Sequence, residues 1–433
     1  RRGDGWSTPR PLGGVNTPGN DNFPFFAGRE LHWVTDFNRI VHAPLTETLR
    51  DSLPAVAAEG VMPFEYEDTR LYVPVSARGH LDWFILDTGA SPTILDTAFA
   101  SLLGLHGRDT TQRTGSGTGQ LTESFGDSIT LRIGNVPLAV PTPAIAPINA
   151  LLARYTGRRA PGIVGSAFFT GGRAVTLDFE NRILYTRRTV HPTESFLATS
   201  IPISVSGGVP FVQATLRFGS GRPIPARLMV DLGAKANLLL SEPFIKRAGL
   251  DAVQASGVPS ILGAGVGGET HFAFTRLARL ELAGTSAIGA DSLVVGLSVG
   301  GTTRSTLFDG LLGAEFMRLY RVTFDYANAR MLLRPRLPVP PNLEFDLSGM
   351  YVTASGDSLR TMTVATVDAR SPAALAGVVV GDQLVALNGR EVRSMTLSAV
   401  RSVLRGPIGG RITLVVVHAG ARVERSFDLA RRV

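Results

Sequence analysis

Two short stretches stand out for the chemistry their side chains carry. They are Phe84-Ile85-Leu86-Asp87-Thr88-Gly89-Ala90 and Leu228-Met229-Val230-Asp231-Leu232-Gly233-Ala234. In each, three apolar residues run into Asp, one further residue, Gly and Ala. The apolar run reads as a short strand, so the carboxylate falls on a tight loop at its end. The glycine lets a second backbone approach closely. A single Asp-Thr-Gly is an ordinary turn, but here the pattern occurs twice and each copy has a companion. Gly162-Ile163-Val164-Gly165 follows the first aspartate by 75 residues, and Gly310-Leu311-Leu312-Gly313 follows the second by 79. Other chemistries are poorly supplied. Cysteine is absent, which removes thiolates, disulfides and Cys-ligated zinc. The seven histidines show no metal-ligand spacing and read as ordinary.

The elements that position these carboxylates are written twice. Thr176-Leu177-Asp178-Phe179 and Thr323-Phe324-Asp325-Tyr326 add a third matched pair, so three matches recur in order at offsets of 144 to 148 residues. This is an internal duplication of about 145 residues, and it decides the fold. Leu71 to Val75 and Asp82 to Leu86 read as strands, and a second strand-rich region begins near Ile201.

The arrangement resembles the aspartic proteases of the retropepsin and pepsin group, above all bacterial retropepsin-like proteins carrying Asp-Thr-Gly-Ala. The resemblance spans roughly residues 66 to 336. It implies two similar β-lobes meeting at a pseudo-twofold axis, each giving one aspartate to a dyad of Asp87 and Asp231. Thr88, Gly89, Ala90, Leu232, Gly233 and Ala234 would complete the two loops, with Gly165 and Gly313 packed beside them. Two carboxylates that close share one proton. The ionised member would activate a water and the protonated member would donate to the scissile carbonyl. No metal or cofactor is required by this chemistry. The glycine-rich stretches holding Gly115, Gly117 and Gly119, and Gly265 and Gly267, fall where the family has hairpin flaps; a plain hairpin turn is the other reading.

One departure bears on activity. The family usually has Thr or Ser between Asp and Gly, hydrogen-bonding across the axis; Leu232 cannot, so a cross-lobe bond is expected to be lost. Ala90 and Ala234 stand where pepsin-like enzymes carry a hydroxyl that donates to the aspartate. Without it the dyad is expected to keep its proton to higher pH, with an optimum between mildly acidic and neutral. Lys235 reads as a surface lysine.

The C-terminal stretch 371 to 389 runs Ser371-Pro372-Ala373-Ala374-Leu375-Ala376-Gly377, then Gly381-Asp382, an apolar strand Gln383 to Leu387, and the turn Asn388-Gly389. Serine before proline marks a helix start and the glycine its stop. This resembles a bacterial PDZ domain. The resemblance implies a peptide-binding groove between a strand starting at Val352 and a helix Thr396 to Leu404, whose Leu397, Val400 and Leu404 would face the peptide. A loop with Gly349, Met350 and Tyr351 would receive the peptide's terminal carboxylate. A lid or oligomerisation module that binds no free peptide is the alternative.

Composition sets the remaining bounds. With 433 residues, 44% hydrophobic and 18% charged, the chain is an ordinary globular one of about three domains. The expected division is an N-terminal extension (1–62), lobe one (63–195), lobe two (196–336) and a PDZ domain (343–433), mainly β throughout. Residues 1–60 lack periodicity; the first 24 read as an extended arm and 45–58 as a short helix. The net charge is +7, but the basic residues are dispersed and nearly all are arginine, which speaks against nucleic acid as a partner. No apolar run reaches the ~18 residues of a membrane span. The chain opens with Arg1, so any leader peptide is expected to be already removed or outside this sequence; the resemblance implies an exported protein, periplasmic or extracellular. The expected function is endopeptidase hydrolysis of extended polypeptide, with the PDZ domain recruiting substrate or controlling access. The rival is an inactive peptide-binding scaffold on a protease-like core.

Overall fold

The computed structural model describes residues 21–27, 30–35, 39–44, 60–114, 117, 119–190, 197–265, 268–287, 293–300, 303–338 and 346–433. The expected helix over 45–58 lies outside them, as do residues 339–341 of the run Leu337-Pro338-Val339-Pro340-Pro341, whose prolines read as a stiff linker. Among the described residues no helix is long and apolar enough to cross a membrane.

Both repeats build the same sheet. In lobe one, strand Arg70–Ala77 turns through Arg78 and Gly79, both at positive φ, into strand His80–Leu86. That turn matches the right-handed twist of the strands it joins. The outgoing strand ends in four buried residues, Trp83 to Leu86. It pairs in parallel with the short strand Gly162–Val164, which pairs antiparallel with Ile94–Asp96. Lobe two repeats the scheme. Ile224–Asp231 pairs in parallel with Gly310–Gly313, which pairs antiparallel with Leu238–Leu240. The apolar tetrads flagged in the sequence are therefore central strands, buried on both faces, which is why they are continuous rather than alternating.

A six-stranded sheet joins the lobes, in the order 199–202, 330–335, 320–325, 174–178, 183–187, 61–63. Its central pair carries the third duplicated motif. Thr176 stands opposite Thr323, and their hydroxyls hydrogen-bond at 2.8 Å on the pseudo-twofold axis. Phe84, Leu86, Val230, Leu232, Phe316 and Phe324 belong to one apolar core running through both lobes. Each such side chain contributes about 1.5–3 kcal/mol by burial.

Residues 346–433 form a separate sheet and core. Ser371 caps its short helix, accepting from the Ala374 N–H, and Pro372 opens it. Thr396 caps the helix Leu397–Leu404 in the same way. One expectation needs correction. Residues 21–24, read as the end of an extended arm, instead belong to the first strand of a three-stranded antiparallel sheet of Asp21–Ala27, Glu30–Thr35 and Arg39–Pro44.

Candidate active site

The two Asp-x-Gly loops face each other across the axis and each is wedged against the other's carboxylate. The Gly89 N–H donates to Asp87 Oδ1 at 2.7 Å, and the Gly233 N–H donates to Asp231 Oδ1 at 2.8 Å. The same Gly233 N–H also reaches Asp87 Oδ1 at 3.2 Å, so one donor touches both carboxyl groups. A Cβ on Gly89 would lie 2.7 Å from Asp231 Cγ, and one on Gly233 would lie 2.6 Å from Asp87 Cγ. Only glycine leaves room for the carboxylates to come together. Gly165 and Gly313 act one layer back: a Cβ there would lie 2.5 Å from the Ala90 carbonyl and 2.7 Å from the Ala234 carbonyl. The Ser166 and Ala314 N–H groups bond those same two carbonyls at 2.8 and 3.0 Å.

The pair behaves as one acid. Burial, then the Asp87 charge and a hydrogen bond to Asp87, hold the Asp231 carboxyl well above the usual carboxylate range. The Gly233 and Ala234 N–H groups oppose this without reversing it.

The cross-lobe bond expected from the threonine exists, and only its mirror copy is missing. Thr88 Oγ1 donates to the Val230 carbonyl at 2.7 Å and accepts the Leu232 N–H at 3.0 Å. Leu232 itself is fully buried in the shared core. One side of the axis is thus held by hydrogen bonds and the other by packing.

The aspartates open into a cleft of about 380 Å³, lined with Ile94, Leu121, Leu152, Met229, Phe272 and Phe308 among others. Both glycine-rich stretches are hairpin tips. Arg108–Thr114 pairs with Gln120–Phe125, and Val258–Gly265 pairs with Gly268–Arg276. Gly117, Gly119 and Gly265 lie at those tips, while Gly115 and Gly267 fall outside the described residues. Leu121 of the first hairpin and Phe272 of the second face the cleft. The helix Asn149–Thr156 of lobe one spans towards the second hairpin, and Tyr155 Oη donates to Glu269.

The PDZ groove is not as the sequence suggested. Met350, Val352, Leu397, Val400 and Leu404 are buried in the domain's own core, and of these only Met350 also borders the cavity between the PDZ domain and the lobes. The helix Asn149–Thr156 packs on the strand Met350–Ser355, and a Cβ on Gly157 would lie 3.4 Å from the Leu397 backbone nitrogen. Tyr351 meets Tyr155 at 6.4 Å between ring centroids. Nor is the Gly349 loop free for a carboxylate. Asp346 already accepts from the Ser348 N–H at 3.2 Å and the Gly349 N–H at 2.6 Å, and the Met350 N–H is taken by Ser348 Oγ at 3.2 Å. The chain's own carboxylate sits where a ligand's was expected.

Three residues escaped sequence reasoning. Lys235 is not a surface lysine: it is buried, lines the dyad cleft, and its Nζ donates to Asp68. Asp68 also receives Arg401 from the PDZ domain. The one signal in the sequence was that Lys235 is a rare lysine in an arginine-rich chain, four residues after the second aspartate.

Paired lobes with facing Asp-x-Gly loops define an aspartyl protease core, here joined to a PDZ domain. Family comparison agrees for both parts. An aspartyl protease family matches residues 73–168 and a PDZ domain family matches residues 363–417. Among solved structures, the aspartic proteinase from Irpex lacteus is similar over 66% of this chain and 99% of its own, with 13% identity and a TM-score of 0.41. No curated protein matches the chain.

Proposed function

We propose that the protein is an aspartic endopeptidase whose dyad is Asp87 and Asp231. The observation that carries this reading is the Gly233 N–H bonded to both carboxyls, with Asp231 hydrogen-bonded to Asp87 and raised in pKa. Asp231 holds the shared proton and donates it to the scissile carbonyl oxygen as that carbon turns tetrahedral. Asp87 takes the proton of the attacking water. The proton positions then reverse as the amine leaves, so the pair ends as it began. The cleft walls, rich in Leu, Ile, Met and Phe, fit an extended polypeptide and exclude water from the reacting atoms.

Leu232 was the feature favouring an inactive scaffold. Its packing within the core and the retained Thr88 bonds remove most of that argument. For the PDZ domain, the covered strand edge and the self-filled loop support control of access over capture of free C-termini. Incubation with unfolded casein, with and without pepstatin, tests the main reading: pepstatin-sensitive cleavage is expected, and no cleavage across pH 3 to 8 contradicts it.

A further inference from the structure

A second buried charge cluster lies beside the dyad and draws on both lobes and the PDZ domain. Lys235 is four residues after Asp231 on the same loop, and a Cβ on Gly263 of the second hairpin would touch its Cδ at 3.9 Å. Lys235 lines both the dyad cleft and an adjoining cavity of about 300 Å³ between the lobes and the PDZ domain. Its Nζ donates to Asp68 Oδ2. Asp68 sits in the Asp68-Thr69 turn of lobe one, where both residues have positive φ. Arg401, on the helix Leu397–Leu404, donates to the same Asp68 oxygen. Its Nη1 also donates to the Tyr155 carbonyl at 2.7 Å and its Nη2 to the Val352 carbonyl at 2.6 Å, and its guanidinium lies 4.4 Å from the Tyr351 ring centroid. All three charged residues are at least nine-tenths buried, with exposures of 9% for Lys235, 9% for Asp68 and 6% for Arg401.

We propose that Arg401, though it belongs to the PDZ domain, is a positioning residue of the protease site: it holds Asp68, Asp68 holds Lys235, and Lys235 fixes the Asp231 loop against lobe one. The proposal rests on reading Asp87 and Asp231 as the dyad. A planar guanidinium spreads its donors over separate nitrogens in a fixed fork, so it can bridge a carboxylate and carbonyls that lie apart, where a lysine offers a single compact ammonium. It is the only group in the cluster that contacts the PDZ strand, the lobe-one helix and the lobe-one turn together.

The charge balance gives the cluster a signature. One carboxylate faces two cations. Burial would raise Asp68, but Arg401 and Lys235 outweigh it and hold the carboxyl at about 2. Arg401 alone neutralises that charge, so Lys235 is the surplus. Burial brings its ammonium down to about 7, with Arg401 and Arg70 pushing the same way and Asp68 opposing. Other titratable or charged groups face the cluster: Arg70, Arg405 and Tyr351 (itself pushed up by burial), Tyr66, Glu315, Arg318 and Asp346 around the adjoining cavity, and Asp231 across the cleft. Removing Arg401 takes away a cation that pushes Lys235 down and leaves Asp68 opposing burial, so Lys235 must hold its proton to higher pH.

The chain contains two lysines, so NMR of the full-length protein with isotope-labelled lysine resolves the question directly. Lys246, exposed and paired with Glu242, is the internal reference. In the wild type the Lys235 signal is expected to titrate near 7, and a midpoint near 10.5 overturns the proposal without any variant. Arg401→Gln should raise that midpoint by about one unit or more, because a like charge is gone. It should also lower kcat on casein about tenfold or more, with KM little changed, because the Asp231 loop is loosened. Arg401→Lys keeps the charge and adds a third lysine signal, recognised by its absence from the wild-type spectrum; the Lys235 midpoint stays near 7, and part of kcat returns. An unmoved midpoint in Arg401→Gln, or wild-type kcat in both variants, refutes the linkage. If Arg401→Gln does not fold, the wild-type midpoint and Arg401→Lys decide. The lysine titration does not depend on turnover: a chain that cleaves nothing yet shows the midpoint near 7 and its rise fails the protease reading while the linkage stands.

Discussion

Gly89→Ala places a single methyl group between the two loops, and the structure sets the size of the effect. The new Cβ would lie 2.7 Å from Asp231 Cγ and 2.8 Å from its Oδ1, where ordinary contact begins at 3.4 Å. The carboxyl must therefore retreat by about 0.7 Å. Gly89 is not at positive φ, so alanine brings no backbone strain and the effect is steric alone. A displacement approaching 1 Å in a reacting group costs roughly 100-fold in rate, so kcat should fall about ten- to hundredfold. Overpacking should cost a further ~1–3 kcal/mol of stability. The assay is initial-rate cleavage of casein together with a thermal melt. Gly171→Ala is the control, since its nearest neighbour, Arg173 Nη1, would lie 4.0 Å away; it should match the wild type in both. Wild-type kcat in a folded Gly89→Ala protein refutes the claim that the carboxyls must meet.

The other expectations follow from the same geometry. Thr88→Val removes a donor to Val230 and strands the buried Leu232 N–H, so it should cost about 2–4 kcal/mol in denaturant unfolding; a change under 0.5 kcal/mol argues against the axial bond. Asp231 has a folded pKa raised above its unfolded value, so its contribution to stability is fully present below pH 3.8 and is lost as pH rises through the folded pKa. Asp231→Asn should therefore stabilise the protein at pH 7 but not at pH 3; melts showing the same difference at both pH values contradict a shared proton. Ala90→Ser and Ala234→Ser add donors to the carboxylates and should move the alkaline limb of the pH–rate profile to lower pH, and an unmoved limb in both removes this account of the alanines. Since Asp346 fills the Gly349 loop, a peptide ending in an apolar residue should bind equally whether its C-terminus is free or amidated; tighter binding of the free acid restores carboxylate capture.

What the sequence disclosed and what it hid divide along physical lines. The lobes were legible because a strand feeding a glycine turn is local text, and duplication repeats it at fixed spacing. Thr176 and Thr323 were visible as a repeat, but nothing local says they pair on the axis. The PDZ helix cap Ser371 was readable because a cap involves residues three apart. The Asp68, Lys235 and Arg401 cluster joins residues 167 and 333 positions apart, so no window of sequence contains it. The groove residues misled for a related reason. Leu397, Val400 and Leu404 do form an apolar helix face, but periodicity cannot say whether that face meets a ligand or the domain's own strands.

The most direct test of the central claim is the rate of casein cleavage by Asp87→Asn and Asp231→Asn, each shown by thermal melt to be folded. The wild type should cleave with pepstatin sensitivity, and both variants should be inactive, because neither carboxyl alone can serve as base and acid. Full activity in either folded variant would contradict the dyad.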